Sequence, residues 1–254
     1  MGISIIPGLF LARHCAAVKD KSLGLILGRQ KFHMPERRMA RFLSHLKAQG
    51  LDLSEAEITQ PDGFTETFFA RLGYPVIEAM DFTAQEGAQH LHDLNLPLRP
   101  DLHGKFDVVI DGGTTEHIFH IGTALDTCHH LLKPGGIMMS FVAADGWFGH
   151  GFFQTGPDVP WRYWHHARGY EMLEVSLAPR KSPSKLIKVP DPTGKPRGGV
   201  LALEGPHMLL YAARKPLVDP PYAMPIQGHY VDYDYDGKDK ETPELARVNG
   251  PVNP

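Results

Sequence analysis

Apolar and polar positions along the chain fall into short blocks whose periods predict alternating strands and helices. "SLGLILG" (22–28) is a continuous apolar run of strand length, the pattern of a parallel strand buried on both faces. Pro35 can open a helix and Gly50 can close it, with Met39, Phe42, Leu43 and Leu46 on one helical face. Asp62 is placed to cap a second helix in which Phe64, Phe68, Phe69 and Leu72 share a side. "YPVIEAMD" (74–81) reads as a strand ending in an acid, "AQHLHDLN" (88–95) as a shorter one, and "KFDVVID" (105–111) as the clearest strand. Ile118, Ile121, Leu125, Cys128 and Leu132 keep helical spacing up to "LLKPGG", where a lysine suits a helix end and Pro and Gly stop it. "GIMMSFVAA" (136–144), "GYEMLEVSLA" (169–178) and "GPHMLLYAARK" (205–215) supply three more strands.

Strands alternating with helices imply an α/β fold, a parallel sheet covered on both faces. The last two strands, joined by a loop without helical pattern, can instead form an antiparallel hairpin. The opening "MGISIIPGLFLARH" is apolar but interrupted by Pro7 and Gly8 and too short to span a bilayer. A short packing helix is expected there, with a lid or dimer arm as the sharper reading. Residues 179–199 are basic and rich in Pro and Gly, and residues 216–254 lack a core-forming pattern. The expected organisation is one domain over 1–215, with a helical insertion at about 31–73 and a basic loop at 179–199. An extended or disordered tail over 216–254 follows.

Composition narrows the function classes. The 254 residues, 42% hydrophobic and 22% charged, suffice for one sizeable core. A formal charge of −3 argues against a protein dominated by nucleic-acid binding. Two cysteines, Cys15 and Cys128, cannot build a disulfide framework or a four-thiolate metal site. A soluble, cytoplasmic protein without a membrane partner is expected.

The chemistry gathers where an open parallel sheet binds its ligands, outside the carboxyl ends of the strands. Gly28, Arg29 and Gln30 follow the first predicted strand. Asp81 ends the second and precedes Phe82; Asp93 and Leu94 follow the third; Asp111 ends the fourth and precedes Gly112 and Gly113. A carboxylate at Asp81 suits a ribose diol, Asp93 can accept from an adenine amino group, and Asp111 can accept from a cationic amine.

The stretch "FDVVIDGGTTEHIFHIGTALDTCHHLLKPGGIMMSFVA" resembles the central half of class I S-adenosylmethionine-dependent methyltransferases, and "MLLYAARKP" resembles their seventh strand. The resemblance covers roughly residues 22–215. It implies a Rossmann-like seven-stranded sheet, mostly parallel with an antiparallel last strand and helices on both faces. It also implies S-adenosylmethionine as cofactor, held by Gly28, Arg29, Gln30, Asp81, Phe82, Asp93, Leu94, Asp111, Gly112 and Gly113. The family's acid-x-Gly-x-Gly-x-Gly turn is reduced here to Gly28, so Arg29 or Gln30 is expected to meet the cofactor's carboxylate with a side chain. Metal-dependent members of that family carry Glu-x-x-Glu-His after the fourth strand. This chain has Glu116-His117, but Gly113 stands where the first Glu would be, and no metal is expected.

Residues 145–166, "DGWFGHGFFQTGPDVPWRYWHH", form the natural acceptor wall, with Trp147, Phe148, Phe152, Phe153 and Trp161 as substrate contacts. His150, flanked by Gly149 and Gly151, competes with His117 as catalytic base. The expected activity is methylation of a small-molecule acceptor at oxygen, in glycan or secondary-metabolite biosynthesis. Two alternatives are a non-methylation reaction on the same fold and a non-catalytic binding or assembly subunit; a homo-oligomer stays open. The basic loop can clamp a phosphate on the acceptor or lie solvated.

Overall fold

The computed structural model describes residues 2–182, 185–193 and 203–231. Much of the basic loop (183, 184 and 194–199) and of the tail (232–254) therefore lies outside the described residues.

Eight strands form one sheet: β1 (Leu23–Leu27), β2 (Val76–Asp81), β3 (His90–Leu91), β4 (Phe106–Asp111), β5 (Leu132–Asp145), β6 (Glu171–Pro179), β7 (Ile187–Lys188) and β8 (His207–Arg214). Their order is β3-β2-β1-β4-β5-β8-β6-β7. β1 to β5 pair in parallel, while β8 slots between β5 and β6 and runs antiparallel to both. The last long strand is thus antiparallel, as the resemblance implied. β7, two residues inside the stretch expected to be loop, adds an eighth strand beyond the expected seven.

Alternation along the strands divides the core into two layers. Ile26, Val108, Ile110, Met139, Phe141 and Leu210 face one side, and Leu25, Leu27, Val109, Met138, Leu209 and Tyr211 the other. Three helices cover the first side: α1 (Ile5–Arg13), α3 (Glu36–Ala48) and α5 (Glu66–Arg71), with the short α2 (Cys15–Val18) and α4 (Glu55–Ile58). The other side is covered by α6 (Ile121–Leu131) and a π-helical segment, Val159–Ala167, which sinks Trp164 completely.

Several local expectations shift for identifiable reasons. α1 is buried over Ile5–Ala12, and the Tyr74 hydroxyl donates to the Leu11 carbonyl at 2.9 Å, so residues 5–13 are core rather than lid or arm. α5 starts after Thr65, not Asp62; Asp62 instead accepts from the Phe64 N–H at 3.1 Å and pairs with Arg29. α6 excludes Ile118, because Thr115–His117 form a separate 3-10 turn before it. Lys133 reaches Asp107 at 2.9 Å, and the last carbonyls of α6 are met by buried Lys215, which donates to His129 O and Leu132 O at 2.9 and 3.0 Å. A lysine 83 and 86 residues away in sequence from its two partners satisfies groups that every helix end leaves open. Beyond β8 the described chain to 231 runs over the π-helical segment: Tyr222 lies under the Arg168 guanidinium, and Arg162 donates to Ile226 O.

Candidate functional site

The carboxyl ends of β1, β2 and β3 and the turn after β4 enclose a cleft of about 380 Å³. Gly28, Asp81, Phe82, Asp93 and Leu94 line it, together with Met80, His92, Asn95, Thr114 and Ile118. Gly28 has φ +69°, the left-handed region where a Cβ is strained. A methyl group there would meet Gln30 Nε2 at 3.4 Å, Thr114 Oγ1 at 3.5 Å and Asp81 Oδ2 at 3.7 Å. Bare backbone therefore lies opposite one free carboxylate oxygen, since Asp81 uses Oδ1 to accept from the Thr83 N–H at 3.2 Å. Phe82 is 72% exposed beside it, an open aromatic face. Asp93 folds into a turn by accepting from the Asn95 N–H, and this bond holds its carboxyl below the usual range. His92 has its Nε2 buried without a partner, and burial lowers its pKa. A buried ring nitrogen in a cleft wall invites a ligand donor or acceptor.

Five of the ten residues expected to hold the cofactor sit in that cleft; the other five do not. Asp111 is fully buried. Its Oδ1 accepts from the Thr114 N–H at 2.9 Å, and its Oδ2 from the Thr115 and Ser140 hydroxyls at 2.6 and 3.2 Å. Its lone pairs are spent on the turn after β4, which leaves none for an amine. Gln30 is buried, and its amide folds back onto the Leu27 and Gly28 carbonyls. That side chain also covers Gly112, where a Cβ would meet Gln30 Cδ at 2.9 Å. Gly112 and Gly113 lie buried behind Thr114, the residue that presents this turn to the cleft.

Arg29 turns toward α5, bonding Glu66 at 2.6 Å and Asp62 at 3.0 Å and stacking 3.7 Å from the Phe64 ring centroid. Its guanidinium braces the entry to α5 rather than waiting for a carboxylate. Arg29→Ala is accordingly expected to lower the melting temperature while leaving S-adenosylhomocysteine affinity unchanged, as thermal unfolding and calorimetry would show. A loss of affinity would return Arg29 to the site.

A second cluster stands after β4 and β5. Glu116 is fully buried and accepts from the Ala143 N–H through Oε2 at 3.1 Å. Its other oxygen faces His150 Nε2 at 3.3 Å, and neither atom has a hydrogen-bond partner. Burial, reinforced by the nearby Asp111 charge, pushes Glu116 up to about 7. The His117 ring is 5.1 Å from His150, and both burial and that neighbour lower its pKa. Close approach is allowed by Gly151, where a Cβ would meet Glu116 O at 2.8 Å and His117 Nδ1 at 3.2 Å. Donor atoms of Glu116, His117 and His150 all lie within 4.8 Å of one another. Two orphaned polar atoms facing each other fit a shared proton or a divalent cation, with His150 supplying the ligand that Gly113 cannot.

The aromatic wall is scattered. Trp147 packs on the α1 side of the sheet, donating to His207 O at 2.7 Å with its ring 5.2 Å from His150. Trp161 lies on the opposite face, donating to Val189 O and edge-on to His165, and so cannot share an acceptor with Trp147. Phe148 is fully exposed. Phe152 is mostly exposed and touches Phe119 and Phe153. His92, Asn95 and Thr114 also line the cleft, and in the sequence only their place just past a strand end marks them.

No family model matches the chain. It is similar to the ubiquinone biosynthesis O-methyltransferase of Caulobacter vibrioides, 35% identical over 124 residues, covering 42% of this chain and 48% of the relative. It is also similar to the enzyme of that name in Nitrobacter winogradskyi, 30% identical over 89 residues, 31% of this chain and 34% of the relative. The chain thus spans less than half the length of these curated relatives. Among solved structures it is similar to the Burkholderia thailandensis 1,6-didemethyltoxoflavin-N1-methyltransferase (18% identity, 84% of this chain and 78% of that one, TM-score 0.42). A further similar structure is the N-methyltransferase NodS of Bradyrhizobium japonicum (13% identity, 82% and 84%, TM-score 0.42). Among the described residues no helix is long and apolar enough to cross a membrane. In sequence the chain is thus similar to ubiquinone biosynthesis O-methyltransferases over 42% of its length.

Proposed function

We propose that the chain transfers a methyl group from S-adenosylmethionine to an oxygen of a small-molecule acceptor. The observation that carries this reading is the cleft at the ends of β1 to β3, where Asp81, Phe82 and Asp93 surround the bare backbone of Gly28. Asp81 accepts from the ribose hydroxyls, Phe82 covers the adenine, and the Asp93 turn with His92 meets its polar edge. The cofactor supplies an electrophilic methyl on a sulfonium. His150 would take the proton of the acceptor hydroxyl, leaving that oxygen nucleophilic toward the methyl that the cofactor would supply. Buried Glu116, 3.3 Å from His150 Nε2, holds the resulting imidazolium, an arrangement that orients a general base. Biosynthesis of a glycan or secondary metabolite is the setting this reading suits.

The test is binding. Asp81→Ala is expected to weaken S-adenosylhomocysteine by about tenfold to a hundredfold, the usual cost of a lost charge-assisted hydrogen-bond pair. Calorimetry on both proteins reads it, and wild-type protein that ignores millimolar S-adenosylhomocysteine ends the proposal. The Glu116, His117 and His150 donors favour a second reading, in which they hold a divalent cation that acidifies the acceptor hydroxyl. Turnover that vanishes with EDTA and returns with Mg²⁺ or Zn²⁺ would select it.

A further inference from the structure

A groove of about 840 Å³ opens between the start of α1, the start of α3 and the end of β6. Its floor is apolar, formed by Ile5, Ile6, Phe141 and Met208, with Phe32 and Met34 at one side. Around it stand Arg38, Arg41, Arg180 and Lys181, and no carboxylate lines it. None of these four cations makes an ion pair among the described residues, whereas Arg13, Arg29, Arg168 and Arg214 each have an acidic partner. Arg38 and Arg41 are three residues apart on α3, where like charges repel unless an anion lies between them. The overall charge of the chain is −3, so this concentration of positive charge is local. Trp147 joins the groove to the reaction centre: its ring lies 5.2 Å from that of His150 and 5.5 Å from the Arg180 guanidinium.

We infer that this groove holds the methyl acceptor, and that the acceptor is an amphipathic molecule with an apolar body and a phosphate group. The apolar body lies on the Ile5–Phe141–Met208 floor, and the phosphate is met by Arg38 and Arg41 from α3 and by Arg180 and Lys181 from the loop after β6. Guanidinium forks match phosphate oxygens in pairs, and a desolvating floor strengthens the contact. The word "acceptor" rests on the methyltransferase reading; the ligand class rests on the groove alone.

The probe is geranyl phosphate, compared with geraniol, titrated into the full chain with and without S-adenosylhomocysteine. Geranyl phosphate is expected to bind at least about tenfold more tightly than geraniol, with an affinity that falls as salt screens the contact. R38A/R41A and R180A/K181A are each expected to lose about tenfold for geranyl phosphate, with S-adenosylhomocysteine affinity unchanged. R37A/K19A, which removes the same charge elsewhere on the surface, is expected to lose nothing. Equal affinity for the alcohol, or equal losses in the control variant, would overturn the proposal. So would capture by phosphatidylglycerol vesicles without binding of geranyl phosphate, which would assign the groove to a membrane surface. Failure of S-adenosylhomocysteine to bind while geranyl phosphate binds would remove the methyltransferase reading and keep the ligand class.

Discussion

Glu116→Gln is expected to reduce turnover by about a hundredfold, the range for loss of general acid–base function, and to remove a pH dependence of stability. The carboxyl is raised from an ordinary 4.5 to about 7 by burial and by Asp111. Between those two values the native state keeps a proton that the unfolded chain has lost. Stability therefore falls as pH rises from 4.5 through 7, by roughly 3 kcal/mol at 1.36 kcal/mol per unit of pKa difference. Glutamine keeps the shape and the acceptor for the Ala143 N–H but cannot ionise, so its stability across that window stays flat. Urea unfolding at pH 5 and pH 8, with EDTA present, reads both slopes. Equal slopes in the two proteins would show Glu116 already ionised in the native state at pH 5. Activity, in turn, is expected to rise through about 7, the value to which burial lifts Glu116.

A comparable loss of stability is expected from Glu174→Ala. Glu174 lies on β6 with its side chain 16% exposed, bonded to Arg13 and His14, each at 2.9 Å, at the end of α1. Burial acts to raise its pKa, but hydrogen bonds from His14 and Arg13 outweigh it and hold the carboxyl at about 2. Removing the carboxylate strands the half-buried Arg13 guanidinium and leaves His14 Nε2 without its partner, which costs about 3 kcal/mol or more. In the wild-type protein the sign is opposite to that at Glu116. The stabilisation is complete above the ordinary value of 4.5 and drains away as pH falls toward 2. The Arg13→Ala/Glu174→Ala double variant is expected to recover part of the loss, because the stranded charge goes with its partner. No difference between Glu174→Ala and wild type in denaturant midpoint would mean that apolar contacts alone hold α1.

These two carboxylates mark the boundary of what sequence reading reached. Glu116 was visible as half of a Glu-His pair, but nothing local announced that it would be buried or that His150, 34 positions on, would face it. Glu174 sat inside a strand pattern as an ordinary polar position; its partners come from the other end of the chain. The long strands β1, β2, β4, β5, β6 and β8 were legible to within a few residues. A buried strand needs a continuous or alternating apolar run, and such a run is a property of neighbours in sequence. The two-residue strand β7 carries too little pattern to be distinguished from loop, and β3, expected over 88–95, pairs only at His90–Leu91.

The same division runs through the site. By itself the sequence determined an α/β sheet whose carboxyl edge carries Gly28, Asp81, Phe82, Asp93 and Leu94, because placing a residue just past a strand end requires only the strand. Which of those edge groups remain available was decided by tertiary structure. Asp111, Gln30 and Arg29 are consumed by Thr115 and Ser140, by the Leu27 and Gly28 carbonyls, and by Asp62 and Glu66 respectively. Trp147 and Trp161, close in sequence, end on opposite faces of the sheet, and Arg38 and Arg180 meet around one groove although 142 positions separate them. A polar side chain satisfies itself with whatever lies nearest in space, and that partner is set by how strands and helices pack.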